Sequence, residues 1–251
     1  MHFDDETRRR AGLLLWAFAL AGACWMALRA GERPPPPQTR EARVEAAFVA
    51  LGQAPRQAPL VLLGDSITAG HGWSAGEGCR PPLNLAVSGA RSDDLLRHLP
   101  LAEAAGADQA LLMIGINDLR HGVPPATLLT NYRAILAGLE RAGVAPVLQS
   151  TLRVTPLHAD HQAINRQVDE LNRHLRELAQ QHGWRYLDVQ AAIGPRGYRG
   201  DGLHLTAEGY GAWQRLIGPL MRRHLCPSDE PGQAQQPPGE DQHLRQQAGE
   251  A

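Results

Sequence analysis

Five short apolar runs, separated by segments of helical period, set the strongest limit on how this chain folds. They are Leu60–Leu63, Leu83–Val87, Ala110–Ile114, Val144–Gln149 and Arg185–Val189. Apolar residues fill most of each run instead of alternating with polar ones, as strands buried on both faces require. Between them, Leu128, Leu129, Tyr132, Ile135, Leu136 and Leu139 line one helical face that stops near Gly143. Ile164, Val168, Leu171, Leu175 and Leu178 line another, with Arg, Gln and Glu between them. Ser92, ahead of Asp93 and Asp94, is expected to cap a third helix, and Thr206, with Glu208 close behind, to open a fourth. Strands alternating with helices give an α/β three-layer sandwich around a parallel sheet of about five strands.

This pattern occupies residues 59–226, and the ends of the chain differ in kind. Ala11–Leu28 carries no charge and lies between Arg8-Arg9-Arg10 and Arg29. As a helix it reaches about 27 Å, enough for a thin hydrocarbon core. Arginines ahead of the span favour retaining that end in the cytoplasm and exporting the rest of the chain. Residues 1–29 are therefore expected to anchor the protein in a membrane with the folded domain on the periplasmic or extracellular side. The alternatives are a cleaved signal peptide, leaving a secreted domain, and a lipoprotein signal acylated at Cys24. The anchor is preferred because the apolar run continues past Cys24. Residues 30–58 are expected to be a linker, stiffened by Pro34–Pro37 and continued by a charged, weakly helical piece at Glu41–Leu51. Residues 227–251 hold Leu244 as their one large aliphatic side chain, too little apolar surface to offset ordering, so disorder is expected there.

Composition removes several classes of function. The net charge is −1, and no basic cluster exists beyond Arg8–Arg10, which argues against nucleic acid. All 25 basic residues are Arg, so a lysine Schiff base and a P-loop lysine are both excluded. Cys24, Cys79 and Cys226 include no C-x-x-C pair and are too few for a zinc site. In an exported domain Cys79 and Cys226 can pair; otherwise they are two buried thiols.

Reactive groups of a parallel α/β sheet gather past the carboxyl ends of its strands. The first strand is followed by Gly64-Asp65-Ser66-Ile67-Thr68, the second by Ser88-Gly89, and the third by Gly115-Ile116-Asn117-Asp118. The loop after the fifth carries Asp201-Gly202-Leu203-His204. A serine becomes a nucleophile when a neutral imidazole takes its proton, and His204 is placed to do this for Ser66. Asp201 can reach the other ring nitrogen and fix the tautomer. The backbone amides of Ser66 and Gly89 and the side-chain amide of Asn117 suit a developing oxyanion. Together these are the parts of an acyl-transfer site.

The blocks resemble those of the SGNH (GDSL-type) hydrolases, in the same order and over about two-thirds of the chain, Leu60 to roughly Leu225. The resemblance implies a flavodoxin-like α/β fold and no cofactor or metal. It makes Ser66 the nucleophile, His204 the base, Asp201 its orienting partner, and Ser66, Gly89 and Asn117 the oxyanion hole. The expected activity is a serine esterase acting on short-chain acyl or O-acetyl esters of small molecules or carbohydrates. Alternatives on the same residues are a lysophospholipase or thioesterase, a polysaccharide O-acetyl transferase, and a non-catalytic carbohydrate- or lipid-binding module. The short segment Gln190–Gly200 ahead of the last block is a departure and points to a shallow cleft.

Rival assignments are weaker. Gly72-Trp73-Ser74-Ala75-Gly76 matches the G-x-S-x-G elbow, but no strand pattern precedes it. Asp65 and Asp118 are expected to brace their loops. A metal held by Asp201, His204 and either His71 or His121 is a further alternative. His158, His161, His174 and His182 are expected to face solvent.

Overall fold

The computed structural model describes residues 39–53 and 56–227. The apolar segment Ala11–Leu28, the prolines at Pro34–Pro37 and the tail beyond residue 227 lie outside the described residues. Five strands form one sheet: β1 (Leu60–Gly64), β2 (Leu83–Asn84), β3 (Gln109–Met113), β4 (Ala145–Gln149) and β5 (Arg185–Leu187). Their order is β2-β1-β3-β4-β5 and every pairing is parallel, the flavodoxin-like arrangement. Leu62 pairs with Leu111 and Leu112 with Leu148, which aligns the carboxyl ends of β1, β3 and β4.

Two strands stop short of their apolar runs because a side chain intervenes. The Asn84 side chain accepts from Ala86 N and bends the chain, although Leu85 N and Val87 N still donate to carbonyls of Leu62 and Gly64 in β1. Asp188 ends β5 by accepting from Ala191 N. It thereby caps the short helix Val189–Ala192.

The helices, in chain order, are α1 (Arg40–Gly52), α2 (Ser66–Ala69), α3 (Ser92–Arg97), α4 (Pro100–Ala104), α5 (Ile116–Arg120), α6 (Pro125–Arg141), α7 (His161–His182), α8 (Val189–Ala192) and α9 (Ala207–Leu225). Right-handed crossovers put the β2–β3, β3–β4 and β4–β5 connections, and so α6 and α7, on one face of the sheet. The β1–β2 connection returns on the other face, where its Trp73 packs edge-on against Trp213 of α9. Tyr132, Ile135, Leu136 and Leu139 of α6 and Val168 and Leu175 of α7 are fully buried, as their spacing requires. Thr206 caps α9 through a bond from Gly209 N.

Several expectations are corrected. The N-cap of α3 is Arg91; Ser92 is the first helical residue, and its hydroxyl is committed to Asp118 at 2.5 Å. The weakly helical piece of the linker is a regular helix whose Val44 and Phe48 are buried in the core, so the packed unit starts ahead of Pro59. Phe48 stacks on His98, with ring centroids 4.2 Å apart. His182 is exposed, but His158, His161 and His174 are half-buried, with His161 Nδ1 on the His158 carbonyl and His174 Nδ1 on the Glu170 carbonyl. Cys79 and Cys226 are joined by a disulfide, which removes the two-thiol alternative.

Candidate active site

β1 delivers its last residue, Gly64, to the top of the sheet, and the chain turns at once into α2, whose first residue is Ser66. Asp65 is the N-cap of this short helix and accepts from Ile67 N at 2.9 Å. The helix is pinned from other parts of the chain. Trp73 Nε1 and Asn84 Nδ2 both donate to the Thr68 carbonyl, and Tyr210 Oη donates to the Ile67 carbonyl. Ser66 is thereby held half-buried at the β1/β3 crevice, the point where strand order reverses.

His204 and Asp201 meet it from the loop ahead of α9. Ser66 Oγ lies 2.9 Å from His204 Nε2, and His204 Nδ1 lies 2.7 Å from Asp201 Oδ2. The other Asp201 oxygen accepts from the backbone amides of Leu203 and His204, so the carboxylate is oriented by its own turn. Partial burial alone would raise the Asp201 carboxyl. The two amide bonds and the imidazole outweigh it and hold the group at about 2. Gly202 takes the left-handed conformation (φ 70°) in this turn, and a Cβ there would collide with Thr155 Oγ1. The segment Gln190–Gly200 serves the same loop: Tyr198 bridges to Leu205, and Arg199 N donates to the His204 carbonyl at 2.7 Å.

Gly89 sits half-buried in the turn after β2 with φ 80°, a left-handed conformation that favours glycine. Asn117, at the start of α5 after β3, is buried, and its Nδ2 donates to the Ala90 carbonyl at 3.0 Å. That bond uses one amide hydrogen and docks the carboxamide beside the Gly89 turn, leaving the second hydrogen for a ligand. Asp118 accepts from both the amide and the hydroxyl of Ser92, binding the β3 end to the β2 end. Asp65 and Asp118 are thus braces, as expected. Burial drives the carboxyl of Asp65 up to about 7, against the Ile67 amide bond and the nearby His204, and it also raises Asp118.

Ser74 stands apart from this cluster. Its hydroxyl accepts from Gly76 N and its carbonyl from Gln214 Nε2, in an irregular loop that follows no strand. His71 stacks on Tyr210, and His121 Nδ1 bonds to the Asn117 carbonyl. No group of three metal-ligating side chains forms among the described residues. The braces Tyr210, Trp73, Asn84, Arg199 and Thr155, whose amide donates to the Gly202 carbonyl, carry no signal in the sequence. An aromatic residue at core spacing gives no sign of which carbonyl its polar end will reach.

The fold is a parallel α/β sandwich, and its site brings a serine, a histidine and an aspartate into one hydrogen-bonded chain. Residues 62–212, well over half of the chain, match the model of the GDSL-like Lipase/Acylhydrolase family, and the chain belongs to that family. It is a carboxylic ester hydrolase on that ground. Solved structures show the same fold at low identity. A GDSL-like lipase from Bacteroides thetaiotaomicron superposes with a TM-score of 0.60 at 16% identity, covering 72% of this chain and 97% of its own. A lipase/acylhydrolase from Enterococcus faecalis gives 0.58 at 23%, covering 68% and 98%. An acetylxylan esterase from Geobacillus stearothermophilus gives 0.55 at 18%, covering 66% and 94%. No curated protein matches the sequence.

Proposed function

We propose that this protein is a serine esterase that removes short acyl or O-acetyl groups from small-molecule or carbohydrate esters through an acyl-enzyme on Ser66. The reading rests above all on the hydrogen-bonded chain from Ser66 Oγ through His204 to Asp201. His204 Nε2 accepts the Ser66 proton as Oγ adds to the ester carbonyl, while Asp201 holds the imidazolium that forms. The new oxyanion is stabilised by the amides of Ser66 and Gly89 and the carboxamide of Asn117. His204 then gives its proton to the departing alkoxide, leaving Ser66 acylated. A water molecule, deprotonated by His204, adds to the acyl carbon, and collapse of the second intermediate frees the acid and restores Ser66. Among the comparison structures, an esterase of acetylated xylan favours a small acyl group. Hydrolysis of p-nitrophenyl esters of graded chain length tests this. Acetate or butyrate should be turned over fastest, with Ser66→Ala inactive, whereas preference for long acyl chains would favour a lysophospholipase or thioesterase.

We also infer that the catalytic domain is exported and held at a membrane by Ala11–Leu28. The arginines ahead of that span support this orientation. So does the Cys79–Cys226 bond, of a kind that persists in oxidising compartments.

A further inference from the structure

Past β4 the chain leaves the sheet as residues 151–154, in which Leu152 and Val154 are buried and Arg153 between them is exposed, the alternation of an extended segment. No strand pairs with this segment among the described residues, and α7 supplies its hydrogen bonds instead. Asn172 accepts from Thr151 N at 2.8 Å and donates to the Thr151 carbonyl at 2.9 Å. Asn165 does the same for Val154, with both bonds at 2.9 Å. Two turns of helix separate the carboxamides by about 10.5 Å, and three residues of extended chain span about 10 Å. α7 therefore holds the segment in register at both ends, with Asn165 at the end that leads to the site.

That end delivers Thr155 to the turn that carries His204. Thr155 N donates to the Gly202 carbonyl at 2.8 Å, and Thr155 Oγ1 and Leu157 Cβ crowd the place where a Cβ on Gly202 would stand. Gly202 lies between Asp201 and His204, so the contact falls inside the pair. Other bonds of the turn are local: Asp201 accepts from Leu203 N and His204 N, and Arg199 accepts from Gly202 N and donates to the His204 carbonyl. Local bonds fix the shape of the turn and the Asp201–His204 contact within it. The placement of the turn opposite Ser66 is set by what holds it from outside, which is α9 on one side and Thr155 on the other. A shift of about 1 Å between reacting groups is enough to slow a reaction roughly a hundredfold.

We propose that Asn165 is a positioning residue for ester hydrolysis: by bracketing Val154 it holds Thr155 against Gly202 and so sets His204 at its distance from Ser66. This role rests on the reading of Ser66, His204 and Asp201 as the reacting groups and adds α7 to it. The full-length chain in neutral detergent tests it, assayed with p-nitrophenyl acetate under conditions where circular dichroism shows each variant folded. Asn165→Ala should lower kcat by about ten- to a hundredfold with KM nearly constant, because binding the ester does not require the Ser66–His204 alignment. Asn165→Asp keeps an oxygen for Val154 N but loses the donor to the Val154 carbonyl, and should recover part of that loss. Asn172→Ala removes two bonds of the same kind at Thr151, away from Gly202, so it should lower Tm by a comparable amount while kcat stays near the parent value. A folded Asn165→Ala with parent kcat, a change confined to KM, or an equal loss of kcat in Asn172→Ala would overturn the proposal. Should Asn165→Ala not fold, parent kcat in Asn165→Asp would overturn it. His204→Ala separates the two levels: parent kcat there would defeat the reading of the site and the proposal with it, whereas an inactive His204→Ala beside a fully active Asn165→Ala would defeat the proposal alone.

Discussion

The Tyr210 hydroxyl donates to the Ile67 carbonyl at 2.9 Å, across 143 positions of sequence, and so ties the helix after His204 to the turn after Ser66. Ser66 and His204 come from distant strand ends, and such ties hold together the elements whose side chains meet at 2.9 Å. Tyr210→Phe leaves the Ile67 carbonyl without this partner while keeping the ring that stacks on His71. Chemical denaturation should show a loss on the order of 1–2 kcal/mol. Turnover of p-nitrophenyl acetate should fall several-fold in kcat with KM nearly constant. An unchanged kcat in the folded variant would show that the tie serves stability alone.

Asp201 is held ionised down to about pH 2, so it faces the imidazole as a carboxylate throughout any working range. Asp201→Asn keeps the shape but offers an amide donor or a neutral acceptor to His204 Nδ1. The expected loss is about 10³–10⁴ in kcat, and loss of His204 or Ser66 should be at least as severe. A fluorophosphonate probe should label Ser66 in the parent and nothing in Ser66→Ala. Labelling that moves to Ser74 or Ser88 would displace Ser66 as nucleophile.

Asn117 is anchored to Ala90 through one amide hydrogen, which orients the other. If the second donates to an oxyanion that exists only in the transition state, Asn117→Ala should cost about 10²–10³ in kcat with little change in KM. A raised KM at constant kcat would make Asn117 a substrate-binding residue instead.

Burial of Asp65 gives a sign that denaturation can check. Its carboxyl rises from 3.8 to about 7, so between those values the folded state keeps a proton that the unfolded chain has released. The stability this contributes is complete below 3.8 and is lost as pH rises to about 7. Asp65→Asn retains an oxygen to accept from Ile67 N and cannot ionise. The fall in unfolding free energy between pH 5 and pH 8 should be smaller in the variant, by on the order of 2 kcal/mol. Identical pH dependence would mean that Asp65 stays charged in the folded protein.

The strands, their parallel pairing and the meeting of Ser66, His204 and Asp201 are legible in the sequence because each rests on local pattern: an apolar run, then a polar residue past the strand end. Ser92 shows where that logic fails. Ser-Asp-Asp reads as a helix cap, yet Asp118 arrives from another strand end and takes the hydroxyl, so Arg91 becomes the cap. Phe48 reads as linker because its helix is charged and weakly helical in pattern, and it becomes core by joining the hydrophobic cluster of the domain, with the ring of His98 stacked on it. His158 is likewise half-buried, with its ring 3.6 Å from where a Cβ at Gly202 would stand, a neighbour that no spacing around α7 announces.

The disulfide joins the loop after Ser66 to the end of α9, closing 147 positions of sequence, and Arg80 N donates to the Leu225 carbonyl beside it. Closing so long a loop restricts the unfolded chain strongly, and its loss should cost about 2–5 kcal/mol. Cys79→Ser with Cys226→Ser should therefore lower Tm, and the parent treated with reductant should approach the variant. The bond also bears on location. Alkaline phosphatase fused after Cys226 should be active in a bacterial host, since arginines ahead of one apolar span direct the chain beyond it across the membrane. Extracted protein should then show neither Cys79 nor Cys226 reactive to a thiol probe. An inactive fusion with both thiols reactive would place the domain in the cytoplasm, leaving the site chemistry at Ser66 intact. Activity with carbonate-soluble protein would identify a cleaved signal peptide, and palmitate incorporation abolished by Cys24→Ser a lipoprotein.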